Sequence, residues 1–146
     1  MIENTILMIT AIIALLQFRQ SIKARYADIM LHVFENLYNS ETLSARNTFF
    51  SAPIEETPSK DIEQACIVTI DSINRLCYLA TWKMIPRKYI LSLYSGLIIQ
   101  TWRHGEKFIK GYRVSSGKSN YADYLENFLP YAYKFRTHRR YNTIIS

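Results

Sequence analysis

Arg25 and His32 stand seven residues apart, two turns along any helix that carries them, and together they hold the parts needed to cleave a phosphodiester. An imidazole that titrates near neutrality can take or return the proton of a ribose hydroxyl. A guanidinium can offset the charge that builds on phosphate in the transition state. The same pair also arises readily on an ordinary charged helix, where both side chains simply meet water. A second route to phosphate chemistry lies in "GYRVSSGKSN", Gly111 to Asn120, because Gly117-Lys118-Ser119 is the triplet used by phosphate-binding loops. Such a loop needs four residues between its first glycine and that triplet, so that successive backbone N–H groups turn inward. Here five intervene, Tyr112 to Ser116. The loop must also follow a buried strand, and no useful length of the chain alternates apolar with polar residues.

Other chemistry is thinner still. His32, His104 and His138 are scattered, and no His/Cys/Asp/Glu spacing is that of a metal site. "HGE" at His104 to Glu106 holds two residues of a deaminase zinc motif, without the proline and paired cysteines that complete it. A nucleophile elbow and a dinucleotide fingerprint are both missing. No metal, cofactor or small-molecule substrate is inferred. Cys66 and Cys77 are eleven residues apart, about 16 Å on a helix, too far for a disulfide between them. They read as small buried apolar residues in a reducing compartment.

The elements that would position these groups begin with an apolar run. From Asn4 to Phe18, "NTILMITAIIALLQF", no residue is charged. As a helix it covers about 22 Å, short of the ~30 Å hydrocarbon core, a deficit that thinning, snorkelling or oligomerisation can absorb. Glu3 precedes the run, and Arg19, Lys23 and Arg25 follow it. That asymmetry predicts an uncleaved single-pass anchor with its N-terminus outside and the rest of the chain in the cytoplasm. A buried core helix is the alternative reading of a short apolar run. Apolar residues recur beyond it at Ile22, Tyr26, Ile29, Val33 and Leu37, and Met8, Ile12 and Leu15 share their heptad register. One helix of ~35 residues, about 50 Å long, results. Its seam, Met8, Ile12, Leu15, Ile22, Tyr26 and Ile29, can pack against copies of itself or be covered by the chain's own later helices.

The remaining sequence predicts a compact all-α region over residues 39–146, of about four further helices, after an anchor and basic continuation over 1–38. Ser40 is the expected cap of a short helix. "SAPIEETPSK" is the clearest loop. Ser59 opens a helix with Ile62, Cys66, Ile70, Ile73, Leu76 and Cys77 on one face. Pro86 opens another, with Ile90, Leu93, Leu97, Ile98, Thr101 and Trp102 inward; a bend is expected near Gly105 and a loop from Gly111 to Gly117. A last helix, from Asn120, carries the aromatic stripe Tyr121, Tyr124, Phe128, Tyr131 and Phe135, with Pro130 expected to kink it.

Charge is divided along the chain. Residues 1–73 hold 5 Lys/Arg against 9 Asp/Glu, a net −4, whereas residues 74–146 hold 13 against 3, a net +10. Such a basic half suits lipid headgroups, or a helical adaptor that binds nucleic acid or another protein through it, or forms a solvated surface partly paired with the acidic half. Lys134, Arg136, Arg139 and Arg140 form its densest cluster and, with Arg19, Lys23 and Arg25, make up the candidate contacts to an anionic partner.

The segments "LHVFENLYNSETLSARNTFF" and "DSINRLCYLATWKMIPRKYILSLYSGLIIQTWRH", with Trp102 near the end of the second, resemble an uncharacterised family of small bacterial proteins anchored by an N-terminal helix. That resemblance implies membrane anchoring and assigns no reaction. The order of parts is also similar to the membrane pore that accompanies some RNA-targeting CRISPR systems. This likeness implies homo-oligomeric assembly in the inner membrane, a role in antiphage defence and, as partners, a defence-system protein or nucleic acid. The Arg25–His32 spacing resembles the Arg-x4-6-His motif of a helical ribonuclease fold and implies, as the enzymatic alternative, RNA cleavage. In that fold the motif sits on a later helix.

Overall fold

A computed structural model describes the backbone over residues 2–55 and 58–144, with side chains over 6–55 and 58–138. The described residues form five helices and no strand: α1 (Ile2–Tyr38), α2 (Ser40–Ser51), α3 (Lys60–Thr81), α4 (Arg87–Ser116) and α5 (Asp123–Ile144). A long apolar N-terminal helix thus leads into a compact helical bundle.

The core lies among α2, α3, α4 and α5. Helix α3 is its centre, since Cys66, Ile70, Ile73, Leu76 and Cys77 recur every three or four residues and all are buried. Ile90, Tyr94, Ile98 and Ile109 face it from α4, and Leu125, Phe128 and Ala132 from α5. Leu93, expected inward, is 57% exposed. At 100° per residue it lies about 130° from the centre of the buried α4 face, outside the stripe.

Helix α1 joins this core only near its end. Val33 and Leu37 are buried, and Ile29 and Met30 pack against the cluster. Ile22 and Tyr26 are half-buried, while every residue from Ile6 to Ser21 is exposed. The α1–α2 corner is closed by Asn39, one residue before the expected cap. It is extended (φ −65°, ψ 157°), and its side chain accepts the Thr42 N–H at 2.7 Å, satisfying a donor in the first turn of α2. Arg46 donates to the Leu37 carbonyl, a free acceptor at the end of α1, and its guanidinium lies 5.5 Å from the Tyr38 ring centre.

Two expectations for the second half fail for identifiable reasons. Helix α4 neither bends into a new element at Gly105 nor becomes a loop after Gly111; it runs unbroken to Ser116 and is stopped by Gly117 at φ 68°. Gly105 is buried, and a Cβ there would meet Phe49 Cζ at 3.1 Å and Ile70 Cδ1 at 3.2 Å. This glycine allows α4 to approach α2 and α3 closely, which requires a helix. Helix α5 starts at Asp123, because Ala122 takes a left-handed φ of 61°. Its early donor, Leu125 N–H, is capped from another helix by Asn74 Oδ1 at 2.9 Å.

Candidate functional site

The most unusual surface is the first half of α1. Nine large apolar side chains between Ile6 and Phe18 are 49% to 67% exposed, and no charged residue separates them. Ile6–Tyr38 is long and apolar enough to cross a membrane, and none of its most apolar window is buried in the fold. A soluble core helix of that composition would be mostly covered. Soluble domains also rarely expose so continuous an apolar patch. Arg19, Lys23 and Arg25 follow immediately, all exposed, where snorkelling cations belong at the edge of a hydrocarbon layer.

The heptad seam divides in two. Met8, Ile12 and Leu15 are bare, Ile22 and Tyr26 are half-buried, and Ile29 packs against the chain's own core. Val33 and Leu37, which extend the stripe, are covered by the same chain. Only its first half is fully open to another molecule.

The groups that suggested phosphate chemistry have other surroundings. His32 is exposed, with Nδ1 3.3 Å from the Glu35 carboxylate one turn away, and Arg25 is exposed on the same helix. An open cleft of ≈ 260 Å³ lies among α1, α2 and α3, lined by Asn36, Asn39, Asp71 and Arg75 among others; neither Arg25 nor His32 lines it. Lys118 is exposed just beyond the Gly117 stop of α4. His104 is half-buried and places Nε2 2.7 Å from the Phe49 carbonyl and 3.1 Å from that of Ala52. Both partners are acceptors, so Nε2–H donates to them and clasps α4 to the end of α2. Glu106 pairs with Lys110 at 2.6 Å. Among the described residues no group of three or more His, Cys, Asp and Glu is placed to hold a metal ion.

No family model, curated protein or solved structure matches this chain. The resemblances of its sequence therefore rest on pattern, and the site rests on its own residues.

The basic C-terminal cluster is helical. Lys134 is exposed, and Arg136 lays its guanidinium over Gly96, where a Cβ would stand 1.9 Å from one of its nitrogens. The side chains of Arg139 and Arg140 lie outside the described residues. Several positioning groups escaped sequence reading. Arg113 donates through Nε to the Tyr121 carbonyl at 2.8 Å and through one terminal nitrogen to Asp123 at 3.1 Å and Glu126 at 2.8 Å. It ties the end of α4 to the start of α5, where both carboxylates also suit the helix dipole. The separation of eight to thirteen residues has no helical periodicity to reveal it; the signal was an arginine before a glycine stop and two acids just after.

Asp71 illustrates a cost of this packing. Desolvation raises its pKa despite favourable Tyr121, Arg75 and Lys118 neighbours. The Tyr121 phenol is pushed up in turn, first by burial and then by Asp71.

Proposed function

We propose that this chain is a membrane-anchored, self-associating effector and not an enzyme, held in the bilayer by the first half of α1. The observation that carries the reading is the bare, uncharged surface from Ile6 to Phe18 on a helix whose other end is fixed in a folded bundle. Lipid is the environment in which that surface is stable, and its ~20 Å length favours neighbours that share the mismatch. Arg19, Lys23 and Arg25 orient it with the bundle in the cytoplasm and the N-terminus outside. The finer role, a pore-forming accessory of antiphage defence in a bacterial inner membrane, rests on architectural resemblance. Solvent exposure of both Arg25 and His32, away from the cleft, argues against the ribonuclease alternative.

Assembly is tested by the molar mass of full-length protein in mild detergent, with the detergent contribution subtracted. The expected result is a discrete multimer that Ile12→Asp with Leu15→Asp disperses. Ile29 is a poor choice for this test because it supports the bundle. A monomer in detergent overturns self-association, and a multimer unchanged by the double substitution overturns the seam.

A further inference from the structure

The α3–α4 turn, "TWKMIPRKY" from Thr81 to Tyr89, presents large apolar side chains outward on a backbone that is firmly held. Trp82 is 63% exposed, Met84 41% and Tyr89 55%. These exposures do not come from a loose loop. Trp82 N–H bonds to the Tyr78 carbonyl at 3.0 Å, and Met84 N–H to the Leu79 carbonyl at 2.9 Å. Lys83 adopts a left-handed φ of 57°, and the side chain of Ile85 is fully buried, pinning the turn to the core. Trp82 and Met84 thus flank a rigid tip at Lys83, and Trp82 is further steadied by its Nε1–H, which donates to the Tyr124 hydroxyl at 3.4 Å, so their ordering is already accomplished before any partner arrives.

Its charge points to the partner. No Asp or Glu occurs anywhere in residues 72–105, whereas Lys83, Arg87 and Lys88 lie within the turn segment itself. Arg87 is half-buried, with its guanidinium stacked 4.1 Å from the ring centre of the exposed Tyr131. Tryptophan and tyrosine favour the headgroup level of bilayers, and each nearby cation gains from anionic lipid.

We infer that the α3–α4 turn is a second, peripheral contact of this protein with an anionic bilayer surface, in which Trp82, Met84 and Tyr89 enter the headgroup layer and Lys83, Arg87 and Lys88 meet lipid phosphates. The contact goes beyond the α1 anchor and does not require it. Where the anchor is inserted, tethering raises the effective concentration of the tip at the membrane, so a weak contact is sufficient. Each of the three cations contributes about fivefold to the contact with anionic lipid.

Trp82 is its own reporter, and subtracting the signal of a Trp82→Phe chain removes the contribution of Trp102. Full-length protein is mixed with vesicles of phosphatidylcholine alone or with phosphatidylglycerol added, some carrying bromine near the headgroup end of the acyl chains. The expected result in anionic vesicles is a blue-shifted Trp82 emission, quenched by bromine and shielded from iodide. Both effects shrink in phosphatidylcholine, and Lys83→Gln with Lys88→Gln cuts the preference for anionic lipid about 25-fold, leaving the share of Arg87. Vesicle-bound protein whose Trp82 stays open to iodide in both lipids overturns the proposal. Shielding by added RNA but not by anionic vesicles also overturns it and assigns the tip to nucleic acid. Flotation after alkaline carbonate reads α1 separately. Floating protein with a wet Trp82 sinks the tip alone, while a shielded Trp82 on carbonate-extractable protein sinks the anchor alone.

Discussion

Burial governs the two thiols of α3. Cys66 is pushed up from 9.0 to about 11 by burial, with the Glu63 carboxylate adding to it, and burial raises Cys77 further. Each folded thiol therefore holds its proton more tightly than the unfolded chain does. The Cys66 contribution to stability is fully present below pH 9.0 and is lost as pH rises through its folded value near 11. Thermal unfolding followed across that window should show a steeper loss for the native chain than for Cys66→Ala, and parallel curves would contradict the assignment. Both cysteines were legible from their spacing within an apolar stripe, since the helical period needs no knowledge of the partner surface. His104 was not legible, because the carbonyls it clasps belong to residues 52 and 55 positions earlier.

Helices were legible where one face repeats and illegible where two elements negotiate. Ile70, Ile73 and Cys77 mark the buried side of α3 from sequence alone. Gly105 misleads because glycine inside a helix usually weakens it, whereas here its absent Cβ is filled by Phe49 and Ile70 from two other helices. Gly105→Ala should therefore destabilise the bundle by about 1–3 kcal/mol through overpacking, despite the better helix propensity of alanine. Urea unfolding of the full chain in detergent checks the sign. A stabilised variant would mean that the close approach of α4 to α2 and α3 is not as described. Asn74 presents a similar difficulty, since its role as the cap of α5 depends on a contact 51 residues away.

For the whole molecule, the all-helical plan and the long apolar leader were readable because both follow from composition and period. Which part of the leader remains open was not readable: Val33 and Leu37 continue the pattern of Met8 and Ile12, yet the bundle covers only the later residues. That division leaves the arm from Ile6 to Phe18 bare beside a separately packed bundle, and the proposed membrane insertion rests on it. The most direct test of that insertion is the behaviour of the full-length chain in membranes washed with alkaline carbonate, beside a variant carrying Ile9→Asp and Ile13→Asp. Both positions are exposed, at 53% and 49%, so the substitutions leave the bundle intact. The native chain is expected to stay with the membrane, and the variant to be extracted as a folded helical protein. Extraction of the native chain as well would contradict membrane insertion by α1.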